Sequence, residues 1–227
     1  MKTNEELRAD VLEEIKWDPQ LKSICDQIGI AAMDGVITLS GRVDTYVQKL
    51  AAERAAQRVS GVKVVAVDLE VNTEPSKVKS DTEIATAIKN ALSWHSAVNE
   101  DQIEVMVDTG WVFLDGMVEW DYMKKAAQTA VENLIGVRGV TNRVQVKSRS
   151  IDPIEIKRKI VSAFHRSASI DSANIQVDVL GSKIILHGKV RTWSERQEAE
   201  NAAWSSPGVI TVENKIEVDT ALVLSHV

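Results

Sequence analysis

Apolar side chains recur at four-residue spacing at Leu7, Val11 and Ile15, again at Ile84, Ile88 and Leu92, and again at Ile156, Ile160 and Phe164. That spacing lays them along one stripe of a 3.6-residue helix, so each set predicts an amphipathic helix with one face toward a core. After each stripe the period drops to two: Ile28, Ile30, Ala32; Ile103, Val105, Val107; Ile175, Val177, Val179. Alternation of this kind predicts a strand with one buried face. Asp34-Gly35, Thr109-Gly110 and Gly181-Ser182 follow, residues that tolerate positive φ in a tight hairpin. The return strand alternates again, through Ile37, Leu39, Val43; Val112, Leu114, Val118; and Ile184, Leu186, Val190.

Gly41, Gly116 and Gly188 stand late in that return strand, where a glycine marks a bulge or a close backbone approach. A second helix follows, rich in alanine: Ala51, Ala52, Ala55, Ala56; Ala126, Ala127, Ala130; Ala199, Ala202, Ala203. Alanine favours helix and lets it lie close against a sheet. Gly61, Gly136 and Gly208 are expected to end these helices as left-handed caps, with Pro207 helping in the third. Valines and isoleucines from Val65 to Val71, Val140 to Val146 and Val212 to Val218 predict a last strand, expected to pair with the first.

The strand glycines lie 75 and then 72 residues apart, and so do the Gly-Val pairs at Gly61, Gly136 and Gly208. Two anchors sharing two offsets define an internal repeat. The expected units are residues 1–73, 80–147 and 151–219, joined by the polar segments 72–80 and 147–152. The fold class is α+β: three tandem αββαβ domains, each a small mixed three-stranded sheet packed against two helices. Domains of this size bury little surface, so each is expected to be marginal alone.

An αββαβ unit with a strand-2 glycine, an alanine-rich second helix and a Gly-Val turn resembles the BON domain, the domain of bacterial osmotic-stress and nodulation proteins. The carrying residues are Val36 to Val43 with Ser60-Gly61-Val62, Leu114-Asp115-Gly116 with Gly136 to Asn142, and Ile184 to Val190 with Pro207 to Asn214. The first copy departs from the pattern, with Val67 where the others have Asn142 and Asn214. The resemblance implies a non-enzymatic, stress- or transport-associated bacterial protein whose partners are phospholipid or envelope-associated proteins. Many such relatives are exported.

Charge narrows the partners. The net charge of −6 is spread as −4 over residues 1–75, −2 over 76–148 and 0 over 149–227. Nucleic acid requires a concentrated positive stripe, and no segment supplies one. No apolar run is long enough to cross a bilayer. The first residues, acidic and amphipathic, lack the apolar core of an export signal. Cys25 is the only cysteine and forms no internal disulfide. Together these predict a cytoplasmic protein.

Reactive groups are sparse. His95, His165, His187 and His226 lack the paired spacing of a zinc site, and no cofactor is expected. The carboxylates, Glu195 and Glu198 among them, follow solvated helix surfaces, so no catalytic residue is assigned. Asn142 and Asn214 read as loop-closing hydrogen bonds. Trp17 and Trp94, at equivalent places after the first helix, read as local core closure, and Tyr46, Trp120 and Trp193 as staples of the strand–helix turn.

The outward phase of the return strand is the exception. It is mainly polar in copies one and three, but in copy two it carries Trp111, Phe113 and Met117, with Met106 near from the preceding strand. An apolar cluster there marks a contact surface, for another repeat or for a lipid or protein partner. Lys157, Arg158, Lys159 and Arg166 are the candidate basic contact with lipid. The expected function is that of a binding or scaffold protein presenting sheet and hairpin surfaces, or alternatively a stress chaperone with repeated weak apolar faces.

Overall fold

The computed structural model describes residues 2–72, 78–147, 152–167, 170 and 172–219. Most of the two polar linker segments and His226 lie outside the described residues. The chain divides into two compact units, residues 1–145 and 146–227.

The first repeat runs α1 (Asn4–Trp17), β1 (Ile28–Met33), β2 (Val36–Val43), α2 (Tyr46–Arg58) and β3 (Val64–Val71). The second runs α3 (Asp81–Ser93), β4 (Ile103–Asp108), β5 (Trp111–Val118), α4 (Asp121–Glu132), β6 (Gly139–Asn142) and β7 (Gln145–Val146). The third runs α5 (Pro153–Arg166), β8 (Ile175–Leu180), β9 (Lys183–Val190), α6 (Trp193–Trp204) and β10 (Thr211–Val218). Six helices and three small mixed sheets make an α+β fold of three repeating units.

Local chemistry sets where the helices start. Thr3, Thr45 and Ser80 accept from the backbone of Glu6, Gln48 and Glu83, whose side chains reach back to the cap backbone. These reciprocal bonds satisfy amides that a helix start otherwise leaves orphaned. In α3 the arrangement holds Glu83 down to about 2, through the Ser80 backbone and then Lys79. In α6 the Thr192 side chain accepts from the Glu195 amide, and the Glu195 carboxylate, buried rather than solvated, accepts from the Arg191 amide at 3.0 Å.

The second strand, not the first, is the partner of the last. β2 takes β1 antiparallel on one side and β3 parallel on the other, and β9 takes β8 and β10 in the same way. A parallel pair needs a crossover of a dozen or so residues, which the alanine helix supplies. Being central, β2 and β9 carry the most deeply buried residues, Ile37, Leu39, Ile184 and Leu186. In the second repeat the last strand is split, and both β6 and β7 pair with β5.

Glycines with positive φ recur in each repeat, and the strand register runs unbroken through Gly41 and Gly188. Gly41, Gly116 and Gly188 have φ of 120°, 131° and 133°. A Cβ on any of them would fall on the backbone carbonyl of Gln27, Gln102 or Asn174. Only glycine satisfies both demands. Gly61, Gly136 and Gly208 also have positive φ, but the helices end before them, at Arg58, Glu132 and Trp204. Each glycine is the third residue of a β-turn closed by the following valine, as in Val62 N–H to Val59 C=O at 3.2 Å. They are turn glycines, not helix caps.

The helix stripes close the cores. Leu7, Val11 and Ile15 pack with Ile37, Leu39, Ala52, Ala55 and Leu69 in the first repeat. Ile156, Ile160 and Phe164 pack with Ile184, Leu186, Ala199, Ala203 and Ile216 in the third. Basic residues of the second helix tie it to the last strand. Lys49 Nζ donates to the Leu69 carbonyl at 2.8 Å, and Arg196 donates to the carbonyls of Asn214 and Ile216, both at 3.0 Å.

Candidate functional site

Because strand side chains alternate, packing two helices on one face of each sheet turns the other face outward. In the second repeat that face bears Met106 of β4 and Trp111, Phe113 and Met117 of β5. Met106, Trp111 and Met117 are 54%, 48% and 48% exposed. Met106 lies directly across from Phe113, and Trp111 across from Gly139 of β6. The indole of Trp111 fills the space a side chain at Gly139 would take. Phe113 is half-buried under the guanidinium of Arg143, 5.2 Å from the ring centroid, and that guanidinium also binds Asp115 at 2.8 Å. The face is thus an apolar cluster braced by a cation–π contact from its own repeat.

The same face of the third repeat is ionic. Glu213 of β10 bridges Lys183 of β9 at 2.6 Å and Lys215 at 2.9 Å. These hydrogen bonds pull Glu213 down to about 2. Lys189 reaches Asp219 at 3.2 Å, and His187 lies 3.7 Å from Asp178 of β8.

The four basic residues of α5 are divided between two places. Lys157 points to Asp178, at 3.9 Å, while Arg158, Lys159 and Arg166 line a groove between α5 and the turn after α6.

Trp17 and Trp94 do not close the core: they are 84% and 90% exposed. The stripe ends at Ile15 and Leu92, and two residues further is the opposite side of the helix, so the period already directed both indoles outward. Nor is Tyr46 simply a turn staple. It starts α2, and its phenol lies at the backbone of Val140 in the second repeat; burial and then the charge of Glu132 push its pKa up. Trp120 takes the cap position of α4, where an indole offers no acceptor. Trp193 stacks with Arg196, 5.2 Å from its ring.

Asn142 and Asn214 are clamps. Asn214 Nδ2 donates to Glu200 Oε2 at 2.9 Å and its Oδ1 accepts from the Ile216 amide; Asn142 bonds Lys124 and Gln128 of α4 and the Val144 amide in the same manner. Cys25 is half-buried, its Sγ 3.4 Å from the Lys22 carbonyl. Among the described residues no three His, Cys, Asp or Glu side chains are grouped to hold a metal, and no helix is long and apolar enough to cross a membrane.

Fold and faces together define a tandem array of small α+β domains that share a scaffold and differ in what they display. The chain belongs to the BON domain family, which matches residues 3–73, 80–148 and 155–220. It is 28% identical over 144 residues to the 21 kDa hemolysin of Actinobacillus pleuropneumoniae, covering 60% of this chain and 72% of that protein. It is 24% identical over 177 residues to osmotically-inducible protein Y of Escherichia coli K12, covering 73% and 86%. Among solved structures, the C-terminal domain of CdsD, a structural protein of the type III secretion system of Chlamydia trachomatis, aligns over 96% of this chain and all of that one. Its identity is 14% and its TM-score 0.27, too low to bear on the present chain.

Proposed function

We propose that the protein is a non-enzymatic binding or scaffold protein of osmotic or envelope stress, which docks lipid or protein partners on the outer sheet face of its second repeat. The observation that carries this reading is the exposed Met106, Trp111 and Met117 around Phe113, on a phase that is ionic in the third repeat. An exposed apolar cluster of this kind marks an interaction site. The similarity to osmotically-inducible protein Y supports the link to osmotic stress, and phospholipid is the lipid class that the family resemblance implies.

The test is flotation with phospholipid vesicles, with a parallel pull-down from envelope extract, for the full chain and for W111A/F113A. The expected result is lost binding with an unchanged circular dichroism spectrum. Undiminished binding by a folded double variant rejects this face.

A second reading, a stress chaperone holding clients by several weak contacts, is favoured by Trp17, Trp94, Met33 and Leu180, exposed apolar groups distributed over all three repeats. It predicts that W17A/W94A weakens suppression of client aggregation by the full chain; full suppression by that variant rejects it.

A further inference from the structure

Two grooves occupy one place in the fold, between the first helix of a repeat and the turn after its second helix. In the first repeat Asp10, Glu13, Glu14, Trp17, Val59 and Ser60 line about 460 Å³. In the third, Arg158, Lys159, Ser162, Arg166, Ser205 and Ser206 line about 430 Å³. Both volumes suit a small molecule, for which pockets run roughly 300–1,000 Å³. Matching the helix stripes, Leu7 with Ile156 and Ile15 with Phe164, sets Lys159 at the place of Asp10, Ser162 at that of Glu13 and Arg166 at that of Trp17, and the glycine offsets set Ser206 at that of Val59. A mainly acidic groove, with Lys2 paired to Asp10, has become a mainly basic one in which Ser162, Ser205 and Ser206 stand beside alanines and a proline.

Arg158, Ser162 and Arg166 are four residues apart and share one face of α5. Lys159 is taken by Glu155 at 2.7 Å, but among the described residues neither arginine has a carboxylate in ion-pairing range. Ser206 is 7% exposed, and its Oγ is buried with no hydrogen-bond partner. A buried hydroxyl without an acceptor destabilises the fold, and a change of χ1 rotamer that turns Oγ to the groove surface would let it meet one. Two guanidiniums outside any direct ion pair, although Arg158 feels the charge of Glu155, beside an unused donor are the complement of a multivalent oxyanion.

We propose that this groove binds a phosphate-type oxyanion, inorganic phosphate or the phosphate of a small monoester, between Arg158 and Arg166, with Ser206 Oγ donating to one of its oxygens. The site is separate from the aromatic face and does not rest on the function proposed for it.

The test titrates the ¹⁵N-labelled full chain with inorganic phosphate at constant ionic strength, with chloride as the control. Saturating shifts are expected at Ser162, Arg166, Ser205 and Ser206, and none at Glu13, Glu14 and Ser60 of the equivalent acidic groove. R158Q/R166Q should weaken binding about tenfold or more, the scale of lost charge-assisted hydrogen bonds. S206A should weaken it several-fold yet raise the melting temperature, since an unsatisfied hydroxyl is removed. W111A/F113A should leave the titration unchanged, which separates this site from the sheet face. A second arm uses phosphatidylcholine vesicles with and without phosphatidic acid. Vesicle binding that needs Arg158 and Arg166 and is competed by phosphate identifies a lipid headgroup as one source; saturation by phosphate without vesicle binding identifies the free ion. Shifts that do not saturate, that persist in R158Q/R166Q, or an affinity unchanged in S206A overturn the proposal.

Discussion

The outer sheet faces of the second and third repeats stand on the same scaffold and carry opposite chemistry. Both hang on a central strand with a positive-φ glycine, Gly116 or Gly188, and an equivalent buried pair of alternating residues. Where one displays Trp111 and Phe113 with a single guanidinium across the ring, the other displays Lys183, Glu213 and Lys215 in a chain of ion pairs. The inward phase of a strand is fixed by the core and the outward phase is free. Three copies of one body can therefore diverge in recognition without any cost to folding.

The sharpest way to break that comparison is at the shared glycine. G188A and G116A should each destabilise by roughly 2–4 kcal/mol, from positive-φ strain and collision with a carbonyl, seen as a lower urea midpoint of the affected transition. A large difference between the two would mean that the scaffolds are not equivalent there. A smaller effect sharpens the aromatic side: R143A removes the cation–π contact and the Asp115 pair, both exposed, and should cost about 1 kcal/mol or less while quenching or shifting tryptophan fluorescence little. The smallest effect is on the ionic side. Glu213 is lowered from its ordinary 4.5 to about 2 in the folded chain, so the unfolded chain takes up its proton first as pH falls. Its contribution is present above pH 4.5 and lost toward pH 2. E213Q should flatten the acid limb of the stability profile by lowering stability slightly at neutral pH while leaving it nearly unchanged near pH 2; an identical acid limb would show that the lysines do not hold this carboxylate.

The core was legible from period alone, because Leu7, Val11 and Ile15 or Ile184 and Leu186 can share a face in only one kind of element. Strand order was not. Alternation states which face of a strand is buried and is silent about its neighbours, so the pairing of β3 with β2 had to come from the crossover. Other features had a signal that the reading passed over. Trp17 and Trp94 fall off the helical stripe, and Thr192 with Glu195 three residues later is the Thr-x-x-Glu pattern of a helix start, whose carboxylate turns back to the backbone ahead of the cap. Asn142 and Asn214 stand on a phase otherwise held by valine, and that misfit does mark their clamping role. Ser206 gave no signal at all: its isolation depends on α5 and the α6 turn meeting in space.

The hold of Arg196 on two carbonyls of β10 reaches further than the helix it anchors. A three-stranded sheet ends in raw main-chain edges, the usual point at which one polypeptide grafts onto another and polymerises. With the oxygens of Asn214 and Ile216 already occupied, an incoming strand would have to evict a guanidinium before its first ladder rung could form. Lys49, on the oxygen of Leu69, stands guard at the matching place in the first repeat. At these two edges, addition of a further strand is thereby opposed.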